Sequence, residues 1–281
     1  MSRDVVRAWR PAAVPGVTEV LHARFVRHAY PAHTHAAWTL LLVDTGGVLY
    51  DLERAHHDAD RRAVTLLPPG VPHDGRAATG DGFRKRVVYL EDGWLPRAAL
   101  GVAVRRPALA DRGLVTAVDA LHAALGAGDD LEAETRLALV RDRVVALVPS
   151  SAGGADDGPR ARPGRPGRPG GPDRRTVAVA RERLDAGIRA APTLTDLAAE
   201  LDVAATSLVR AFAREVGVAP HRYLVGRRVD AARRLLLEGV PPAQVAAETG
   251  FHDQSHLTRH FRRVLGVTPG AYARSATVRP G

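Results

Sequence analysis

Leu197-Ala-Ala-Glu-Leu-Asp-Val203 recurs 48 positions later as Val245-Ala-Ala-Glu-Thr-Gly-Phe251. Two further blocks repeat with a spacing of 49. Leu208-x-Arg210-x-Phe212 returns as Leu257-x-Arg259-x-Phe261, and Val216-Gly-Val-Ala-Pro220-x-x-Tyr223 as Leu265-Gly-Val-Thr-Pro269-x-x-Tyr272. Three blocks in register mark a duplicated unit, with one residue added in the second turn. Each copy reads as two helices about a tight turn. The first helix buries Leu197 and Leu201, or Val245 with the edge of Thr249, and small Ala198 and Ala246 permit close approach. The turn needs a residue that tolerates positive φ, which Gly250 supplies freely and Asp202 at modest cost. The second helix buries Leu208 and Phe212, or Leu257 and Phe261, at i, i+4 spacing.

The opposite face of that second helix is the expected functional surface. In the second copy it carries Gln254, Ser255, His256, Thr258, Arg259, Arg262 and Arg263. In the first it carries Thr206, Ser207, Val209, Arg210 and Arg214, a poorer set. Arg, Gln, Ser and Thr near the front of a helix are what reading the major groove of double-stranded DNA requires, with further Arg on phosphate. Between the copies, residues 220–238 predict a helix with Leu224, Val229, Ala232, Leu235 and Leu236 on one side. Arg227, Arg228, Arg233 and Arg234 are expected on the other. Gly239 ends this helix and Pro241-Pro242 opens the next. A rigid connector would set two recognition helices into successive major grooves, roughly 34 Å apart.

From Leu197 to Tyr272 the pattern resembles the AraC/XylS regulators. The resemblance implies an all-α tandem helix-turn-helix DNA-binding domain over 173–275. It puts base reading on Gln254, Ser255, His256, Thr258 and Arg259, with Thr206, Val209 and Arg210 from the first unit. One departure is Ala204-Ala205, where the family often has Ser at the helix start, which leaves the N-cap in question. Another is Leu257 in place of an aromatic.

The remainder of the chain is consistent with a regulator. Net charge is +9, and +6 of it falls in residues 173–281, as a polyanion partner requires. The absence of cysteine among 281 residues excludes disulfides, Cys-zinc sites and thiol catalysis. No apolar run approaches membrane-spanning length, and the first residues lack a secretory h-region, so a cytoplasmic protein without a membrane partner is expected. Ser150–Pro172, rich in Pro and Gly with three Arg-Pro-Gly repeats, reads as a flexible linker. Such a tether transmits rigid motion poorly, so control is expected through domain docking or dimer geometry.

Residues 1–106 read as a small β-barrel, with strands at Val17–Val26, Ala37–Val43, Val48–Leu52, Ala63–Leu67 and Arg84–Leu90 between turn signals. Residues 107–149 switch to helical period. Leu114, Val118, Leu121 and Leu125 form one stripe, and Leu137, Val140, Val144 and Leu147 another. This helical hairpin is a candidate dimer surface. His33-Thr-His35 and His73 resemble the two cupin motifs, so the fold class is α+β: a cupin-like barrel with a helical hairpin, then the all-α domain. On an extended strand, an H-x-H pair shares one face, and a third histidine could complete a metal site. Ala36-Ala-Trp-Thr-Leu40 lacks the carboxylate that cupin enzymes carry, so a metal-free, cofactor-free ligand pocket is expected. It is lined by His33, His35 and His73, with Trp38, Tyr50 and Tyr89 as aromatic wall. His56-His57 reads as polar loop. The expected function is a non-enzymatic transcriptional regulator with a small-molecule effector, and RNA polymerase and a second copy are candidate partners. The alternative is a metal-dependent cupin enzyme fused to a DNA-binding module.

Overall fold

The computed structural model describes residues 4–11, 13–26, 28–148 and 174–277. The expected linker, 150–172, lies outside them. Alternating apolar positions build two antiparallel sheets in the N-terminal part. The strands are β1 (Val5–Trp9), β2 (Val17–Phe25), β3 (Tyr30–His33), β4 (Trp38–Thr45), β5 (Val48–Leu52), β6 (Ala55–Ala59), β7 (Val64–Leu67), β8 (His73–Ala77), β9 (Phe83–Leu90) and β10 (Ala108–Leu109). One sheet has the order β1-β2-β9-β4-β7-β10 and the other β3-β8-β5-β6. Because β10 pairs with β7, the sheet domain runs past the expected boundary at residue 106. His56 and His57 lie in β6, paired with β5, rather than in a loop.

The larger sheet is covered on both faces, so β4 is an almost unbroken apolar run. Leu21, Phe25, Leu41, Val43, Phe83 and Val87 face the smaller sheet across a shared core. Trp38, Leu40, Leu42, Val64 and Val88 face outward instead. They pack on α1 (Ala99–Arg105), α2 (Arg112–Ala127) and α3 (Asp130–Leu147) through Leu114, Val118, Leu121, Leu137 and Val140. Asp111 and Asp129 cap α2 and α3. Leu147, expected in the buried stripe of α3, is 38% exposed, and Val148 is buried instead.

The C-terminal part is all helix: α4 (Arg174–Ala186), α5 (Leu194–Glu200), α6 (Ala205–Val216), α7 (Pro220–Leu237), α8 (Pro242–Glu248), α9 (Gln254–Leu265) and α10 (Pro269–Thr277). The repeat is realised as α5–α6 and α8–α9, with α7 between them. Leu197, Leu208, Phe212 and Val216 form a core with α4, and Val245, Leu257 and Phe261 form another with α7. Both turns have positive φ, +50° at Asp202 and +77° at Gly250. No helix among the described residues is long and apolar enough to cross a membrane.

The two parts share one continuous core, since Val225, Val229, Leu236, Leu265 and Tyr272 join the cluster between the sheets. Helix α10 lies along β1, where Ser275 Oγ accepts from Ala8 N at 2.9 Å.

Candidate nucleic-acid interface and enclosed cavity

Helix α9 begins at Asp253, whose carboxylate accepts from the His256 N–H at 2.7 Å and so fixes the first turn. Its buried side is Leu257, Phe261, Val264 and Leu265. Gln254, Ser255, Thr258, Arg259 and Arg262 line one open concave surface on the other side. Arg259, Arg262 and Arg263 are exposed, and none makes an ion pair with a described residue. His256 stands apart from this group. It is half-buried, with its ring edge-on to Phe251 and Nδ1 accepting from His252 N. In α6, Thr206 and Arg210 are exposed, Ser207 and Val209 half-buried, and Ala204 provides no side-chain cap.

Both recognition helices end on left-handed glycines, Gly217 and Gly266, and both ends abut the sheet domain. A Cβ at Gly266 would lie 2.9 Å from the Phe25 ring and 3.1 Å from His28, and one at Gly217 would lie 3.2 Å from Pro72. Arg54, in the β5–β6 turn, donates to the Arg214 carbonyl at 2.5 Å. The sheet domain therefore touches the C-terminal ends of α6 and α9, and their polar N-terminal halves point elsewhere.

Behind that junction, the two sheets enclose a cavity of about 40 Å³, room for a few waters. Its wall includes His33, His35, His73, Tyr50, Tyr89 and Leu265, the last contributed by α9. Five of the six expected pocket residues are thus brought together. Trp38 is not among them, because its position on β4 sends it through the sheet to the helical side, where Nε1 donates to the Asp92 carbonyl at 3.0 Å. The three imidazoles form a triangle with ring centroids 4.6–4.8 Å apart. His33 Nδ1 faces the Pro31 carbonyl at 2.8 Å, and His73 Nδ1 faces that of Val71 at 3.1 Å. Burial holds all three below the usual imidazole range, His73 at about 4, so they are neutral at pH 7.

Two charged residues here were not anticipated. Lys85, the one lysine among 40 basic residues, faces inward from β9 with its ammonium 4.1 Å from the centre of the Tyr30 ring. Burial, then the charge of Arg233, pulls it down to about 7. Arg233 was expected on the outward face of α7, yet it is 2% exposed. It donates to Tyr272 Oη of its own domain at 3.2 Å and reaches into the sheet domain to donate to Glu19 Oε1 at 2.6 Å and lie 4.2 Å from the centre of the Tyr89 ring. Tyr272 also donates to Glu19. Burial pushes the Glu19 carboxyl up, and Arg233 and Tyr272 pull it back. Arg233 further meets His35 Nδ1 at 3.4 Å, and Asp230 Oδ1 lies 4.0 Å from the same nitrogen. One residue of the C-terminal helical part thus touches the histidine cluster directly.

Paired helix-turn-helix units are thus joined to a sheet domain with an enclosed cavity. Residues 197–275 match the family described as a helix-turn-helix domain, and residues 15–140 that of an AraC-like ligand binding domain. The chain thus carries both kinds of domain found in AraC-type regulators. It is 37% identical over 87 residues to a putative AraC-like transcription regulator of Streptomyces lividans, covering 31% of this chain and 29% of that protein. It is 32% identical over 81 residues to the probable transcriptional regulator LumQ of Photobacterium leiognathi, covering 28% of this chain and 33% of that protein. These matches span about a third of either relative. The fold is shared over the full length with ToxT of Vibrio cholerae, at a TM-score of 0.53 and 12% identity, covering 98% of each chain.

Proposed function

We propose that this chain regulates transcription by binding a specific operator through α6 and α9, under control of a small molecule taken up by the sheet domain. The observation that carries this reading is the pair of recognition helices. Each presents a polar, arginine-bearing front half to solvent, while its rear end is fixed against the effector domain. Gln254, Ser255, Thr258, Arg259 and Arg262 read bases and phosphates in one groove, and Thr206, Ser207 and Arg210 the next. Val209 adds apolar contact, and His256 supports the start of α9. Residues 1–106 with the β10 edge hold the effector, 107–149 supply the helical hairpin, 150–172 link, and 173–275 bind DNA. The effector meets His33, His35, His73, Tyr50 and Tyr89. Among the described residues, the buried hydroxyl of Thr39, which lines the cavity, has no hydrogen-bond partner, which suits a polar ligand. ToxT has been solved with an unsaturated fatty acid and with a naphthalenyl-butenoic acid, so a chain of this fold accepts small ligands. Leu131 and Leu139 of α3, 77% and 52% exposed, suit a homodimer contact. The protein works in the cytoplasm, beside RNA polymerase, and is not an enzyme.

The test is to map the operator genome-wide, then titrate it with purified full-length protein at several salt concentrations. Affinity should fall steeply with salt, because the arginines displace counterions. A flat response would remove the DNA assignment.

A further inference from the structure

We propose that Arg228 is the positioning residue that fixes the distance and angle between the two recognition helices, and so sets how strictly the spacing of the two operator boxes is read. This deepens the regulator reading above and rests on it for the DNA step alone.

Helix α7 joins the two units, but a helix alone does not hold them at one angle. Its first half is tied to the end of α4, where Asp185 accepts from Tyr223 Oη at 2.9 Å and from Arg227 Nε at 2.8 Å. Its second half packs on α8 and α9. Units held in this way can pivot about the helix axis unless something bridges them beside it. Arg228 supplies the bridge. From the middle of α7 its Nε donates at 2.9 Å to the Ile188 carbonyl, in the loop that leads from α4 to α5. Its Nη2 would meet a Cβ at Gly250 at 2.9 Å. The same Cβ would lie 2.6 Å from the Ile188 carbonyl oxygen and 2.5 Å from that of Arg189. The α8–α9 turn of the second unit therefore rests directly on the α4–α5 loop of the first, and one guanidinium lies against both.

The chemistry of the side chain suits a joint. Arg228 is half-buried, burial lowers its pKa and no carboxylate offsets this, so an ion pair does not explain its place. A guanidinium offers a directed donor at Nε and a flat edge at Nη2, which the single ammonium of lysine does not. Burial, then the charges of Arg259 and Arg228, lower the His256 imidazole, so the joint stands beside the first turn of α9. A rotation there swings the whole reading face. One extra base pair displaces the second box by about 3.4 Å and turns it by about 34–36° around the duplex. A rigid pair of helices cannot follow that change, whereas a hinged pair can. Holding both faces in register before binding also spares the entropy of aligning them.

The chain has no cysteine, so Thr206→Cys/Ser255→Cys places one spin label on each recognition helix, at two exposed positions. In full-length protein without DNA, the distance between the labels should form one narrow population, and it should broaden when Arg228→Met is added. A broad distribution before that addition overturns the joint, whether or not the Arg228→Met variant folds. The mapped operator is then lengthened and shortened by one base pair between its boxes. The wild type should lose about tenfold or more in affinity on either change, and Arg228→Met less than about threefold. Val229→Ala, buried in the same helix, should lower stability and leave the spacing penalty intact. A penalty relaxed there too would be a general softening and would overturn the role of Arg228. An unchanged penalty in Arg228→Met, with a salt slope shallower by about one, would make Arg228 a phosphate contact and overturn it equally. If no operator is bound at all, the regulator reading fails, while a narrow distance that broadens with Arg228→Met still supports the joint.

Discussion

The two helix-turn-helix units descend from one pattern, yet different physics holds each together. In the second, Gly250 takes φ +77°, and a Cβ there would sit 2.5 Å from the Arg189 carbonyl and 2.6 Å from that of Ile188. In the first, Asp202 occupies φ +50° with a full side chain. The second recognition helix is capped by Asp253, and the first begins at Ala204 with no side-chain cap. The first unit gains its order earlier, from the Thr193–Asp196 capping box at the start of α5. Duplication thus preserved the buried Leu and Phe positions and let caps, turn and outward face diverge. The unit with the tighter turn and the better cap is also the one with the richer polar surface.

Substitutions exchanged between the units test that difference. The largest effect is expected at the turns. Gly250→Ala should cost about 2–4 kcal/mol, since it combines left-handed strain with a backbone clash. Asp202→Gly should range from neutral to a gain of about 1 kcal/mol, because only strain is relieved. Urea unfolding of the two variants measures both, and equal losses would erase the distinction between the turns. Next come the reading faces. Arg259→Ala should cost about 1–3 kcal/mol of operator binding and relax specificity at one base pair, if its contact is bidentate. The counterpart Arg210→Ala should weaken all sequences more evenly. The reverse pattern in a selection experiment would exchange the roles of the two helices.

The repeat is legible in the sequence because it writes its core into side chains that cannot go elsewhere. Leu208 and Phe212, or Leu257 and Phe261, at helical spacing leave one burial solution, and all four are buried. The five anticipated strands were legible for a similar reason, since alternation ends at turns. β6 was not, because Ala-His-His-Asp-Ala pairs at a sheet edge and buries little beyond Ala59. Trp38 departs from the expected pocket wall because both faces of β4 are apolar, so parity alone does not say which one lines the cavity. Arg233 misled for a different reason. Its neighbours Arg228 and Arg234 sit at the expected rim, and its own burial comes from Glu19, 214 residues away. A signal did exist on the other side: Glu19 shares strand parity with Leu21, Ala23 and Phe25. Lys85 also announced itself, as the single lysine in a chain that elsewhere uses arginine.

The caps give the next effect down. Asp253→Ala should lose about 1 kcal/mol, and Ala204→Ser should gain about 0.5–1 kcal/mol, because Ala204 already has extended cap geometry at φ −66°, ψ 135°. Thermal unfolding reads both, and failure of the serine to stabilise would mean that the first helix is capped by other means.

The smallest effect is one of pH. His260 of the second unit corresponds to buried Ala211 of the first, so only one recognition helix titrates at this position. Partial burial, then the charges of His256, Arg259, His221 and Arg263, lower its imidazole to about 4. The unfolded chain takes up that proton near 6.5. As pH falls from 6.5 toward 4 the unfolded state binds more protons than the native one, and stability declines across that window. The ring is only half-buried, so solvent screening leaves only a few tenths of a kcal/mol. NMR titration should therefore show His260 neutral down to about pH 4, and His260→Ala should flatten the acid limb of the stability curve slightly. A midpoint near 6.5 would show the ring free of its cationic neighbours, and would bring the two units closer in character than their sequences suggest.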